Sequence, residues 1–108
     1  MAMIPDTFTL FSQQWTIRTA QQKELINDLG MCFPDSNEIL LNANQSAESI
    51  KQTLLHELLH SIEMKQHLKM TERQIDCLSL GLIHLFSENP QMLDLLVYTE
   101  ESLCQNQE

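Results

Sequence analysis

The sequence predicts a small α+β domain in which a short sheet comes first and helices follow. Three observations support this prediction. Apolar and polar residues alternate in parts of the first 42 residues, as they do in strands that are buried on one face. Apolar residues then recur at helical spacing between Ile50 and Ile62. Residues typical of helix starts follow at Thr71 and again at Asn89.

The first predicted hairpin joins residues 7–10 to 15–19, with a turn over 12–14. Residues 20–29 favour a short helix ended by Gly30, although their pattern is ambiguous. A second hairpin is predicted from 31–33 and 38–42, because Pro34-Asp35-Ser36-Asn37 between them is rich in turn residues.

Three helices are predicted after the sheet. Ser46 is a helix-start residue, and the first helix is expected over about 47–67. Thr71 and Gln74 form a capping box for a second helix over about 72–87. Asn89 followed by Pro90 starts a last helix over about 90–102.

The size and charge of the chain restrict its function. With 108 residues, it is expected to form one domain over 1–108 with a modest core. A net charge of −9 argues against binding to a nucleic-acid backbone or to an anionic membrane. Neither a nucleic-acid nor a membrane partner is therefore expected.

Cysteine usage and the lack of targeting signals suggest a compartment. Cys32, Cys77 and Cys104 are odd in number and form no C-x-x-C pair, so a reducing compartment is expected. The N-terminus carries no basic region followed by an apolar run, and no apolar run approaches the ~18 residues that span a bilayer. We expect a cytoplasmic protein.

The first predicted helix contains His56-Glu57-Leu58-Leu59-His60, an H-E-x-x-H pattern. Residues four apart share a helix face, so both imidazoles can bind one metal ion. Glu57 lies about 100° around the helix from His56, where its carboxylate can reach a metal-bound water. Zinc suits such a site, because it takes imidazole and carboxylate ligands and keeps an open position in catalytic centres. A core helix with incidental histidines is the alternative.

A catalytic zinc needs a third protein ligand, and the next predicted helix offers Glu72 with Asp76 one turn later. Antiparallel packing of the two helices on their apolar stripes would bring Glu72 towards His56 and His60. Asp76 can then accept a hydrogen bond from a ligating histidine and fix its tautomer. The alternative for Glu72 is an ordinary first-turn acid favoured by the helix dipole.

H-E-x-x-H followed on the next helix by E-x-x-x-D resembles the gluzincin pattern of zinc metallopeptidases. Residues 56–60, 71–76 and 78–82 look closest to small metallopeptidase-like proteins encoded by bacteriophages and prophages. They are also similar to ImmA/IrrE-type peptidases and to minimal gluzincins. The resemblance covers roughly residues 30–90 and implies a zincin-like fold with a bound Zn²⁺.

The resemblance also implies roles for single residues. It assigns His56, His60 and Glu72 as zinc ligands, Glu57 as general base and Asp76 as the partner of a ligating histidine. It further implies that the strand before the active helix forms the cleft rim and pairs with extended substrate. That strand would comprise Ile39, Leu40, Leu41 and Asn42.

Other polar residues offer alternative ligands or transition-state donors. Glu63 and His67 continue the histidine face. A metzincin has a glycine where this chain has Glu63, and its third histidine lies six residues after the second, whereas His67 lies seven after His60. Glu63 is therefore interpreted as a solvated or rim acid. Tyr98, His67 and His84 are candidates for a transition-state donor, and nothing in the pattern selects one. His84 lies away from the apolar stripe, as surface histidines do.

The resulting hypothesis is a cytoplasmic zinc metallo-endopeptidase, in the host cytoplasm if phage-encoded, that cuts a protein or peptide substrate. A zinc-bound water would attack the peptide carbonyl with Glu57 as general base. One alternative is a zinc-stabilised phage-associated interaction protein without peptidase activity, and another is a helical interaction protein without metal. In a further hypothesis, the last helix and the tail cover the cleft and keep the enzyme latent.

Overall fold

The computed structural model describes residues 4–20 and 28–98, and in them a four-stranded mixed sheet precedes three helices. The strands are β1 (Thr7–Leu10), β2 (Gln13–Ala20), β3 (Gly30–Phe33) and β4 (Glu38–Asn42). The helices are α1 (Ala47–Lys65), α2 (Glu72–Glu88) and α3 (Pro90–Val97). The α+β class predicted from the sequence is confirmed.

The first hairpin forms with a tighter turn than predicted. β1 and β2 pair antiparallel, with Phe8 opposite Trp15. Phe11 and Ser12 alone make the turn, with φ of 50° and 65°. Two adjacent residues at positive φ match the twist of a two-residue hairpin, but the turn lacks the Asn and Gly that usually signal it. The predicted turn residues Gln13 and Gln14 belong to β2 instead.

The second hairpin, β3 with β4, is confirmed, and β4 then lies parallel to β2. The sheet order is β1-β2-β4-β3, so β4 is an inner strand and β3 is an edge strand of the described sheet. Ala20 ends β2 rather than starting a helix. The rest of the helix predicted over 20–29 lies largely outside the described residues, and Gly30 starts β3.

One face of the sheet builds the core beneath α1. Its buried members are Trp15, Ile17, Ile39 and Leu41, and Leu54 and Leu58 of α1 pack on them. The helix therefore lies with its apolar arc on the sheet, as its periodicity indicates. Its opposite face is left for the polar motif.

The helix starts agree with the sequence better than the helix ends. The Ser46 side chain caps α1, and Thr71 forms the predicted capping box of α2 with Gln74. α1 stops at Lys65 rather than 67, because the chain turns at His67 with φ of 59°.

α3 is shorter than predicted and more exposed than α1. It ends at Val97 rather than 102, with Tyr98 in an extended conformation, and residues 99–102 lie outside the described part. Leu95, Leu96 and Val97 are 53–66% exposed. None of the described helices is long and apolar enough to cross a membrane.

Candidate metal centre

The packing of α1 against α2 brings three predicted ligand side chains together. The Nε2 atoms of His56 and His60 lie 3.1 Å apart. Glu72 reaches them from the first turn of α2, with Oε2 3.0 Å from His56 Nε2 and Oε1 2.8 Å from His60 Nε2. The convergence expected from helical spacing and helix pairing is present.

Each imidazole is also held through its other nitrogen. Asp76 Oδ1 lies 2.7 Å from His56 Nδ1, and Glu63 Oε2 lies 2.8 Å from His60 Nδ1. An ionised carboxylate only accepts hydrogen bonds, so in each neutral ring Nδ1 carries the hydrogen. Both Nε2 atoms then present lone pairs towards each other and towards Glu72.

This arrangement fits a metal ion. Two ring lone pairs and a carboxylate facing one another repel unless a cation or a proton lies among them. A tetrahedral metal bound to nitrogen and oxygen at about 2.0–2.1 Å would hold its ligand atoms about 3.3 Å apart. The two Nε2 atoms lie 3.1 Å apart, and each lies 2.8–3.0 Å from a different oxygen of Glu72, slightly below that value. The donor set therefore needs only a small expansion to hold such an ion.

Glu57 lies beside the three ligand candidates in a more buried position. It is 6% exposed, and a carboxylate oxygen lies within 4.8 Å of ring nitrogens of His56 and His60. Burial raises the pKa of the Glu57 carboxyl, while the two neighbouring histidines act in the opposite direction. His56, Glu57 and His60 are thus also compatible with a metal ion as a group, although Glu72 approaches both rings more closely.

Gly30 allows β3 to lie directly against the Glu57 side of α1. A Cβ atom at this position would lie 2.7 Å from Thr53 Cγ2, 3.1 Å from Leu40 O and 3.3 Å from Glu57 Cγ. Only glycine fits without a shift of these neighbours. The residue interpreted from sequence as a helix end is therefore a contact point between strand and helix.

The ligand candidates open onto a cleft of about 530 Å³. β3 and the residues before it form one wall, α1 the floor and α2 the other wall. The described lining residues are Asp28, Leu29, Gly30, Met31, Cys32, Gln52, Thr53, His56, Glu57, His60, Met64, Glu72 and Asp76. Gln52 was not singled out from the sequence, although it precedes His56 by one turn on the same helix face.

The predicted substrate-pairing strand is wrong. Ile39, Leu40, Leu41 and Asn42 lie in β4, are at most 8% exposed and pair with β2 on one side and β3 on the other. Their backbone hydrogen-bonding groups are thus taken up within the sheet. The strand that borders the cleft is β3, because the chain places its second hairpin with the earlier strand outermost.

The predicted exposure of Glu63 is also wrong. This residue is 6% exposed, and its two carboxylate oxygens contact His60 Nδ1 and the Met70 amide, the latter at 3.0 Å. The Met70 N–H lowers the pKa of Glu63 most, and the hydrogen bond to His60 acts in the same direction against the effect of burial. Its position three residues after His60, on the same face, was the available signal.

The three donor candidates lie elsewhere. His67 is exposed in the turn after α1, His84 is exposed 3.8 Å from Glu88, and Tyr98 is 42% exposed after α3. None of them is among the described residues that line the cleft. α3 packs against α2, and none of its residues is among those lining residues either, so the described part gives no support for a latent, covered cleft.

No protein-family model, no curated protein and no solved structure matches this chain.

Proposed function

We propose that the protein is a zinc-dependent metallo-endopeptidase with a zincin-like centre, in which His56, His60 and Glu72 hold the metal. The convergence of two Nε2 atoms and one carboxylate within 3.1 Å of each other is the observation that supports this most directly. Two histidines and one glutamate are a ligand set of catalytic zinc sites, which keep a further position open. The cleft next to the three side chains leaves space on that side.

The side chains divide the remaining work. A zinc ion in this position supplies a Lewis acid that polarises a peptide carbonyl and acidifies a water molecule. A Glu57 carboxylate oxygen lies within 4.8 Å of ring nitrogens of both histidines, so with a metal bound there Glu57 would act as general base and then as general acid towards the leaving amine. Asp76 and Glu63 hold the two rings through their Nδ1 atoms, which keeps the Nε2 lone pairs available.

β3, rather than β4, is the strand suited to pair with a peptide. It is an edge strand of the described sheet and borders the cleft through Gly30, Met31 and Cys32. An extended peptide can add to such an edge through backbone hydrogen bonds while its side chains enter the cleft. Leu29 and Met31, which are 52% and 37% exposed, offer apolar contacts there.

The test is Glu57→Gln in zinc-loaded protein, assayed on a fluorogenic peptide library. Gln keeps the size of the side chain but cannot accept the proton, so we expect turnover to fall by about 10²–10⁴-fold. Zinc content should remain that of the wild type, because the proposed ligands are unchanged.

Glu48→Gln is the matched control, since Glu48 lies on the same helix with its side chain 80% exposed. It should leave turnover and zinc content unchanged. Full activity in the Glu57 variant would overturn the role of Glu57. Zinc binding by a wild type that cuts no peptide in the library would favour the alternative, a metal-binding protein without peptidase activity.

A further inference from the structure

Glu63 joins two parts of the molecule through one buried carboxylate. Its Oε2 lies 2.8 Å from His60 Nδ1, and its Oε1 accepts a hydrogen bond of 3.0 Å from the Met70 amide. The side chain is 7% exposed, so little water can compete for either oxygen. A buried charged group is stable only when such partners satisfy it.

The second contact acts on the loop between α1 and α2. That loop turns back at His67, whose φ is 59°, and the Leu68 amide donates to the Glu63 carbonyl at 2.8 Å. Met70 then donates to the Glu63 side chain two residues before Glu72, the first residue of α2. The short link between His60 and Glu72 is thus fastened to Glu63 through both its backbone and its side chain.

Both contacts require an acceptor from residue 63. The Met70 backbone nitrogen can only donate, and a neutral His60 can bind metal through Nε2 only if its hydrogen is on Nδ1. A carboxylate offers one accepting oxygen to each. An amide offers one oxygen and one NH₂, so it must either oppose the Met70 N–H or drive the His60 hydrogen onto Nε2.

We infer that Glu63 is a positioning residue that fixes the Nδ1–H form of His60 and fastens the loop that delivers Glu72. The inference rests on the metal site proposed above but concerns the chain before any metal binds. The residue three positions after the second histidine therefore needs two accepting atoms, one for His60 Nδ1–H and one for the Met70 N–H.

The experiment is Glu63→Gln, with Glu48→Gln again as the matched control on the same helix. Long-range ¹H–¹⁵N correlation spectra of the metal-free protein report the tautomer of His60. We expect Nδ1–H in the wild type and in the control, and a substantial Nε2–H population in the Glu63 variant. Competition with a chelator should show zinc binding weakened about 10–100-fold in that variant alone.

A Glu63 variant with an Nδ1–H His60 and unchanged zinc affinity would overturn the inference. If the variant does not fold, the wild-type spectrum still decides, because an Nε2–H form of His60 in the folded metal-free protein contradicts the assignment. The outcome is separable from the proposed function. An inactive protein with an Nδ1–H His60 that Glu63→Gln alters would refute the peptidase while supporting the role of Glu63.

Discussion

The two histidines of the candidate metal centre are held in contrasting surroundings. We call His60, Glu63 and Glu57 the inner half of the centre, and His56, Glu72 and Asp76 the outer half. The side chains of His60 and Glu63 are 9% and 7% exposed. In the outer half, His56 is 17% exposed, but its partners Glu72 and Asp76 are 73% and 68% exposed.

The halves also differ in how they are assembled. The inner half is built on α1 itself, with the following loop bound to Glu63. The outer half exists only while α2 packs on α1, and the buried α2 residues Ile75 and Ser79 are the ones that flank Asp76 on the packed side. Buried charge pairs interact strongly, whereas exposed ones are weakened by water and salt. We therefore expect the contacts of the inner half to be preorganised and those of the outer half to weaken as the salt concentration rises.

The largest effect is expected where the inner half meets β3. Gly30→Ala places a Cβ 2.7 Å from Thr53 Cγ2 and 3.1 Å from a backbone oxygen. Overpacking of this kind costs about 1–3 kcal/mol of unfolding free energy, measurable by urea denaturation. Since the same Cβ would lie 3.3 Å from Glu57 Cγ, turnover by the proposed peptidase should fall as well.

Gly81→Ala is the control for this substitution. Gly81 lies inside α2, and a Cβ there meets nothing within 4 Å. Alanine in a helix interior should stabilise the protein by about 0.5–1 kcal/mol relative to glycine. Equal responses of the two variants would contradict the close contact of β3 with α1.

Asp76→Asn tests the outer half and should have a smaller effect. The asparagine oxygen can still accept from His56 Nδ1, so only the charge is lost. Because the Asp76 side chain is 68% exposed, we expect zinc affinity to fall by about tenfold or less, the low end for such partners.

Salt sharpens the same comparison. The difference in zinc affinity between Asp76→Asn and the wild type should shrink as ionic strength rises. The difference in zinc affinity between Glu63→Gln and the wild type should persist. Chelator competition at low and high salt measures both. A salt-independent loss on replacing Asp76, or a larger loss than at Glu63, would reverse the order of the two halves.

Most of the candidate metal centre could be predicted from the sequence. The ligand candidates of both halves follow from local periodicity: His56 and His60 share a helix face, and Glu72 and Asp76 lie one turn apart after a capping box. These relations depend on a few neighbouring residues, which is why the helix starts and the convergence of side chains were predicted.

The missed features depend on contacts that are distant in the sequence or on backbone conformation. β4 is an inner strand because it pairs with β2, and β3 is therefore left at the edge of the described sheet. No local sequence pattern indicates this long-range pairing. Glu63 is buried because the loop folds back through His67, a residue without the sequence signature of a positive φ. An acidic residue is usually exposed, so composition alone gives the wrong expectation for Glu63.

The smallest predicted effect concerns that loop, which supports the inner half without touching the ligands. His67 has a φ of 59°, a conformation that costs a residue with a Cβ more than it costs glycine. His67→Gly should therefore raise the unfolding free energy by about 0.5–1 kcal/mol and leave zinc affinity unchanged, because the Glu63–Met70 contact remains. Gln66→Gly is the control, since its φ of −97° gains nothing from glycine and the added chain entropy should destabilise the protein. A loss of zinc affinity in the His67 variant would show that the conformation of the loop, and not only its tie to Glu63, positions the inner half.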